Sequence, residues 1–263
     1  MPIEFDLNKS VEENAGTYFN LAKKAKKKLK GAQEALERSR RELERLKQQE
    51  DKFLQEYEQK REQKKRASER RQEWYEKFHW FFSSEGFLCI GGKDATSNEM
   101  VIKKHVDKED IVLHTDMAGS PFFVVKDGQK ASEKTIEEAA QAVAVYSKAW
   151  KLGHGTADVF YVKPEQVSKE AQSGEFMAKG SFMIRGKTNY LHPKLEYAFG
   201  LLDEQVIGGP LTAVKSRTKN FMVVVPGKEK KSALAKKIKN KLKGGDLDEI
   251  IKFLPAGGGE IKK

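Results

Sequence analysis

The sequence predicts an α+β protein made of a long N-terminal coiled-coil arm, a mixed-sheet domain with covering helices, and a basic C-terminal α/β segment. Three observations predict this class. A heptad pattern fills the first part of the chain, short apolar runs bounded by Gly, Asp or Asn follow it, and a lysine-rich amphipathic helix lies near the end. We place the three parts at residues 1–78, 79–191 and 192–263.

The arm is predicted from apolar residues that recur at alternating steps of four and three from Val11. Twelve of the 14 seam positions are apolar when Tyr and Ala are counted, which is typical of a coiled coil. Ser10 and Glu13 have the spacing of a capping box at its start. Two structures fit the pattern: one very long helix, or two antiparallel helices that turn within KQQED, residues 47–51.

The middle part is predicted as a sheet with a covering helix. Its strands are expected at residues 87–90, 100–106, 110–116, 121–126, 158–163 and 180–187. The helix is expected over Ser132–Trp150, with Ser132 as its cap and an apolar face that packs on the sheet. Trp80, Phe81 and Phe82 are interpreted as the end of the arm, buried in the domain core, rather than as rings that stack on bases.

The C-terminal part is predicted to contain a strand end at Val223–Pro226 and a helix over Lys228–Lys243. That helix has eight lysines and one glutamate, while Leu234, Ile238 and Leu242 share one side. An RNA or ribosomal surface and a membrane surface are both compatible with such a helix. The lack of an aromatic residue on its apolar face favours RNA.

The charge of the whole chain favours an anionic partner. There are 50 Lys and Arg against 39 Asp and Glu in 263 residues, a net charge of +11, and such an excess releases counterions when it meets phosphates. Six lysines within residues 23–30 form a concentrated positive band, which we interpret as a phosphate contact.

Other features narrow the class of protein. A single cysteine, Cys89, cannot form an internal disulfide, and no Cys/His cluster has the spacing of zinc ligands, so we expect a reducing compartment and no metal or cofactor. The sequence has no apolar run approaching 18 residues and no secretion leader. We therefore expect a cytoplasmic protein.

Two polar stretches are candidate binding sites. The first follows Gly91-Gly92 and is predicted to be a loop that contacts a phosphate or a base; the second brackets the strand at 110–116. Their RNA-contact candidates are Lys93, Asp94, Asn98, Lys103, Lys104, His114, Asp116 and Ser120.

Catalysis is the alternative at the second stretch. His114 and Asp116 would point to the same face of a strand, as a base and its orienting group would, and Asp94 would complete a nucleic-acid-processing site. However, the sequence has no G-x-S-x-G, Walker-type or H-E-x-x-H motif. A third interpretation is that these polar groups only satisfy each other. We assign no catalytic residue.

Several long segments resemble one family, the NFACT proteins, which include NEMF of animals and RqcH of bacteria and are also called fibronectin-binding-protein-A-like. EKFHWFFSSEGFLCIGGKDATSNEMVIKKH, DIVLHTDMAGSPFFVVK and VSKEAQSGEFMAKGSFMIRGKTNYL resemble the family's NFACT-R domain. VEENAGTYFNLAKKAKKKL resembles the start of its coiled-coil arm, and NFMVVVPGKEKKSALAKKI with DLDEIIKFLP resembles its NFACT-C segment.

The resemblance implies a ribosome-associated quality-control factor. Such proteins bind large subunits obstructed by peptidyl-tRNA, grip tRNA and rRNA, and extend the stalled chain, and in eukaryotes they recruit a ubiquitin ligase through the arm. The family's arm is an antiparallel two-helix coil, which favours the hairpin. Within the NFACT-R-like segment we add Arg185, Lys187 and Asn189 as RNA-contact candidates.

One departure from the family is large. The family's NFACT-N domain and helix-hairpin-helix segment do not occur in the sequence, so we expect the chain to correspond to the C-terminal part of a longer protein. Pairing of the arm between two chains, giving a dimer, is an alternative to the hairpin.

Overall fold

A computed structural model describes residues 4–69, 73–169 and 179–262, and of residues 51 and 53–69 it describes only the backbone. The chain divides into two compact units, one before Glu73 and one from Glu73 onward. None of the helices among the described residues is both long and apolar enough to cross a membrane.

The first unit is dominated by one helix, α1 (Val11–Glu69). The predicted capping box is confirmed: the Ser10 N–H donates to the Glu13 carboxylate at 2.9 Å, and the Glu13 N–H donates to the Ser10 hydroxyl at 3.1 Å. The buried side chain of Asn14 accepts from the Asp6 N–H at 3.0 Å and donates to the Asp6 carbonyl at 3.0 Å. The residues before the helix are therefore folded back onto its first turn.

The structure differs from the antiparallel hairpin that the resemblance favours, because α1 continues without a turn through residues 47–51. KQQED consists mostly of good helix formers and contains neither Gly nor Pro, so nothing in it ends a helix. At 1.5 Å per residue the 59-residue helix is on the order of 90 Å long. The seam is open along its described part: its leucines at 29, 36, 43 and 46 are each more than half exposed. The seam positions Phe53 and Tyr57 lie outside the described side chains.

The second unit contains twelve described strands. They are β1 (His79–Phe82), β2 (Leu88–Gly91), β3 (Ile111–Thr115), β4 (Phe123–Val125), β5 (Val159–Val162), β6 (Val167–Ser168), β7 (Met183–Ile184), β8 (Asn189–Leu191), β9 (Tyr197–Leu202), β10 (Gln205–Gly209), β11 (Phe221–Glu229) and β12 (Gly259–Ile261). Six strands form one sheet in the order β1-β2-β4-β3-β5-β8, four form a second in the order β10-β9-β11-β12, and β6 pairs with β7.

In the part of the chain that the structure describes, six α-helices cover these sheets. They are α2 (Ala95–Lys104), α3 (Glu133–Tyr146), α4 (Lys148–Leu152), α5 (Leu211–Lys215), α6 (Lys231–Leu242) and α7 (Leu247–Phe253). α3 packs on β3, β4 and β5, and α2 packs on β2 and β4. Every described strand pair is antiparallel, so the prediction of a mixed sheet is corrected.

The central strands of the six-stranded sheet are buried on both faces. Along β3, Ile111 and Leu113 belong to the core shared with α3 and the second sheet, whereas Val112 belongs to the core shared with α2. Successive side chains of a strand point to opposite faces, so covering both faces requires apolar residues at every position. This accounts for the unbroken apolar runs IVL and FFVV. The first core also contains Leu234, Ile238 and Leu242, so the apolar face predicted for the basic helix is confirmed.

Three predicted elements are corrected. Residues 100–106 were expected as a strand, but most of them belong to helix α2, and His79–Phe82 are a strand rather than the end of the arm helix. The helix expected over Ser132–Trp150 breaks at Ser147, whose hydroxyl lies 2.7 Å from the Ala144 carbonyl and 3.1 Å from the Ala149 N–H. Ser132 occupies the N-cap position of α3, but its side chain makes no capping hydrogen bond.

Candidate nucleic-acid interface

The polar stretch after β2 is the start of a helix. Asp94 is the N-cap of α2: its carboxylate accepts from the Ser97 N–H at 2.7 Å, and the Ser97 hydroxyl accepts from the Asp94 N–H at 2.8 Å. The hydrogen bond from the Ser97 backbone lowers the pKa of Asp94. The backbone of Lys93 is fixed in the same way, since its N–H also donates to the Ser97 hydroxyl at 2.8 Å. The exposed side chain of Lys93 therefore extends from a backbone position that is fixed at the start of the helix.

The two glycines before Lys93 serve packing rather than phosphate binding. A Cβ on Gly91 would collide with the Phe123 ring, and a Cβ on Gly92 would collide with the Asn98 side chain. The N–H of Gly92 donates to the Phe122 carbonyl at 3.1 Å. Glycine is required at position 92 because α2 lies directly on the sheet, and at position 91 because the ring of its cross-strand partner Phe123 occupies the space of a side chain.

Asn98, His114 and Ser120 lie together, but inside the domain. Asn98 is 7% exposed; its amide donates to the Ser120 carbonyl at 3.3 Å and accepts from the Phe122 N–H at 3.1 Å. His114 also donates to the Ser120 carbonyl, at 3.2 Å, and its ring stacks on Phe122 with 4.0 Å between centroids. The Ser120 hydroxyl accepts from Thr115 at 2.7 Å. These groups hold the turn after β3; Asn98 and Ser120 are buried, and His114 is half-buried.

His114 and Asp116 do not form the predicted cooperating pair. The hydrogen bond described for the His114 ring goes to the Ser120 carbonyl and not to Asp116. Burial lowers the pKa of His114. Asp116 is exposed and accepts a hydrogen bond from the Tyr190 hydroxyl at 3.2 Å. Asp94 is engaged in its helix cap. His114, Asp116 and Asp94 are thus each bonded to a different partner and do not form one processing site. No group of three metal-ligating side chains occurs among the described residues.

The last turn of α2 carries exposed cationic residues. Lys103 and Lys169 both donate to the Glu99 carboxylate, at 2.7 and 2.6 Å, and these hydrogen bonds lower the pKa of Glu99 to about 2. Lys104 is exposed next to them. Because one carboxylate is shared by two ammonium groups, this surface keeps a positive balance.

The second exposed cationic group follows the strand pair β6–β7, between β7 and β8. Gln166 fastens it: its amide donates to the carbonyls of Arg185 and Lys187, both at 2.9 Å. The side chains of Arg185, Lys187 and Asn189 are exposed. The Glu99–Lys169 bond joins this part of the chain to α2. α2 and the segment from β6 to β8 therefore form one basic surface, able to bind phosphates through Lys and Arg.

Two further cationic residues of this region, Lys169 and Lys179, are not among the contacts predicted from the sequence. Lys169 takes part in the Glu99 cluster, and the exposed Lys179 precedes Gly180, where a Cβ would collide with Ala95 at the start of α2. Lys169 and Lys179 both belong to the stretch VSKEAQSGEFMAKG. The sequence shows that they are cations, but only the fold shows that they lie near α2. Residues 170–178 of that stretch lie outside the described part of the chain.

The comparison with protein families gives a match over this surface. The family described as the NFACT protein RNA binding domain matches residues 77–186, which include α2 and β6–β7.

Similar proteins share much of the remaining chain. The archaeal Rqc2 homolog aRqcH of Methanocaldococcus jannaschii is 40% identical over 207 residues, which are 76% of this chain and 31% of that protein. The ribosome quality control complex subunit NEMF homolog of Drosophila melanogaster is 35% identical over 201 residues, 76% of this chain and 20% of that protein. The human subunit NEMF is 43% identical over 122 residues, 46% of this chain and 11% of that protein.

The chain spans less than a third of the length of these relatives. The family match over residues 77–186 and the named relatives agree with the motifs from which the resemblance is drawn. The chain belongs to the NFACT protein family.

Proposed function

We propose that this chain is the RNA- and ribosome-binding part of a ribosome-associated quality-control factor. In this proposal it recognises large subunits obstructed by peptidyl-tRNA and supports C-terminal tailing of the stalled chain. The observation that carries the proposal is the basic surface of α2 and β6–β8, most of which lies within residues 77–186, the segment matched by an RNA-binding domain. Its partners would be rRNA of the large subunit and tRNA, in the cytoplasm.

The contacts we propose are electrostatic. Lys93, Lys103, Lys104, Arg185 and Lys187 are exposed cations that can meet phosphates, and Asn189 is an exposed donor beside them. Asp116 is exposed next to Tyr190 and can accept from a sugar or base. Asp94 would act indirectly, by fixing α2 and Lys93. Asn98, His114 and Ser120 are used in the internal network, and we leave them out of the contact surface.

A binding function is favoured over nucleic-acid processing. His114 is hydrogen-bonded to a carbonyl and stacked on Phe122, and Asp116 is bonded to Tyr190, so neither is poised to activate a water molecule for attack on a phosphate. We therefore propose no catalytic step for this chain. Incubation with labelled tRNA and a divalent metal would contradict this if cleavage appeared and was lost in His114→Ala.

The arm supports a second, separate role. Its leucine seam is exposed and regular, as expected of a helix that pairs with another helix. We propose that α1 is one helix of the family's antiparallel coil, completed by a second helix, and that the arm carries a protein partner such as a ubiquitin ligase. We retain 1–78, 79–191 and 192–263 as the proposed arm, NFACT-R and NFACT-C-like parts.

Co-sedimentation with purified large subunits tests the main proposal. The full chain should pellet with subunits carrying peptidyl-tRNA at low salt, and the bound fraction should fall steeply as salt rises, because phosphate contacts release counterions. A matched sample of empty large subunits measures the preference for obstructed ones. Absence of binding at low salt, or binding that ignores salt, would contradict the proposal.

A further inference from the structure

His79 lies at a point where several elements of the second unit meet. It faces Gly91 across β1–β2, and its imidazole stacks on the phenol ring of Tyr146 with 3.7 Å between centroids. The Tyr146 hydroxyl lies 2.8 Å from the Phe253 carbonyl, to which it donates. The sheet, α3 and the end of α7 are thus held together beside one imidazole ring.

Two lysines, Lys93 and Lys231, lie near enough to His79 for their charges to act on it, and a third, Lys252, lies near Lys93. Lys93 comes two residues after Gly91, the partner of His79 in the sheet, and Lys252 directly precedes Phe253. Lys231 is the first residue of α6. It precedes Leu234 by three positions and Ile238 by seven, so it lies on the buried face of that helix and points toward the body of the domain. Lys231 is half-buried, unlike the exposed lysines at 236, 237, 239 and 241.

The charges of these lysines act on one another. Burial is the main reason that the pKa of His79 falls to about 3, and the charges of Lys93 and Lys231 lower it further. The pKa of Lys93 is lowered by burial and then by the charge of Lys252, and burial lowers the pKa of Lys231. The structure therefore collects positive charge in a partly desolvated place, which is unfavourable without an anion.

No described ion pair supplies such an anion. Other lysines of this unit hold carboxylates: Lys103 with Glu99, Lys126 with Asp110, and Lys237 with Glu229. Among the described ion pairs none includes Lys93, Lys231 or Lys252. Asp94 lies near enough to raise the pKa of Lys93, but its effect is smaller than those of burial and Lys252.

We propose that Lys93, Lys231 and Lys252 form, beside His79, a binding site for a backbone phosphate of RNA. Ammonium groups suit a phosphate, and the neutral imidazole can donate one further hydrogen bond. Lys93 and Lys252 are exposed, so the site opens at the surface and can take a phosphate of a continuous strand. The inference rests on the proposed RNA-binding function and extends the contact surface to α6 and α7, which lie beyond the matched domain at residues 77–186.

The experiment measures binding of a fluorescent single-stranded RNA 12-mer to the full chain between 50 and 200 mM salt. Lys231→Gln and Lys252→Gln should each weaken binding roughly tenfold, the loss expected for a hydrogen bond to a charged group. Each should also reduce the slope of log affinity against log salt by about 1. Lys215→Gln, a change at an exposed lysine of α5, is the control and should stay within about twofold of the parent chain. Thermal unfolding checks that each variant is folded.

The ring signals of His79 in nuclear magnetic resonance spectra locate the phosphate. They should shift when the RNA is added, and inorganic phosphate should reproduce the shift only at far higher concentration. A shift with inorganic phosphate but not with RNA would overturn the RNA assignment. If the parent chain binds RNA while both lysine variants bind equally well, the site is wrong and the proposed function stands. If the parent chain binds no RNA, both fall.

Discussion

The imidazole of His79 lies on the ring of Tyr146, with 3.7 Å between the centroids and 19° between the planes. His79 is half-buried in β1, and the loss of solvent around its imidazole lowers its pKa from 6.5 to about 3. His79 is therefore neutral in the folded protein at neutral pH and in mild acid. Burial thus links the protonation of this residue to folding.

The low pKa of His79 predicts a loss of stability in acid. Between pH 3 and 6.5 the unfolded chain binds a proton at this position that the folded chain does not, so stability is lost as pH falls through 6.5 toward 3. Between pH 7 and pH 5 we expect this residue to lower the free energy of unfolding by about 2 kcal/mol.

Urea unfolding at the two pH values measures the effect. His79→Phe keeps an aromatic ring against Tyr146 but cannot titrate, so it should lose less stability between pH 7 and pH 5 than the parent chain. His105 and His114, whose pKa values burial also lowers, are present in both proteins. Equal losses in the two proteins would contradict the assignment.

A buried ion pair should be a second determinant of stability. Asp110 is 1% exposed and accepts from Lys126 at 2.6 Å and from the N–H groups of Asp107 and Asp127 at 2.7 and 2.8 Å. Asp110→Ala would take the buried carboxylate away from the Lys126 ammonium and leave two N–H groups without their partner, so we expect a loss of about 3–5 kcal/mol in the free energy of unfolding.

Asp107→Ala is the matched control for that change. Its carboxylate also contacts Lys126 at 2.6 Å, but its side chain is 79% exposed, so its removal should cost about 1 kcal/mol or less. Guanidinium unfolding of both variants checks the difference. Similar losses would show that burial does not decide the strength of this cluster.

The sequence predicted the strands well where local pattern and tertiary environment agree. β3 and β4 were expected because apolar β-branched and aromatic residues fill them. The segment DATSNEMVIKKHV was expected as a loop and a strand, because MVI is apolar and β-branched. Its helical form depends on the Asp94–Ser97 cap and on a sheet face that needs covering, and the second of these is visible only in the fold.

The candidate site was predictable in chemistry but not in geometry. Lys93 and Lys104 are exposed cations as expected, whereas Asn98, His114 and Ser120 satisfy one another. The type of a polar residue does not tell whether it binds a ligand at the surface or bonds to other groups inside the domain, because both roles use the same donors and acceptors. Lys231 and Lys252 lie about 140 and 160 positions from Lys93 in the chain, so no local pattern could connect them to it.

The open seam of α1 should make the chain associate. In the absence of another helix, we expect two copies of the chain to pair through their leucines, since apolar surface of this regularity is unfavourable in water. Light scattering of the full chain should give the mass of a dimer, and Leu36→Glu with Leu43→Glu should give a monomer. Ala35→Glu with Gln48→Glu, which lie outside the seam, should leave the dimer intact. A parent chain that is monomeric at tens of micromolar would contradict pairing between copies.

The basic surface of α2 and β6–β8 should contribute to RNA affinity through charge alone. Lys104→Gln and Arg185→Gln each remove one exposed cation with no change in the core. We expect each to weaken binding to large subunits roughly uniformly across RNA sequences, and to reduce the slope of log affinity against log salt by about 1. Lys130→Gln is the control: this exposed lysine is paired with Asp127 and lies outside α2 and β6–β8. A contact to a base edge would instead change the preference among RNA sequences. A variant that alters this preference while the salt slope stays constant would therefore show that the surface reads bases rather than phosphates.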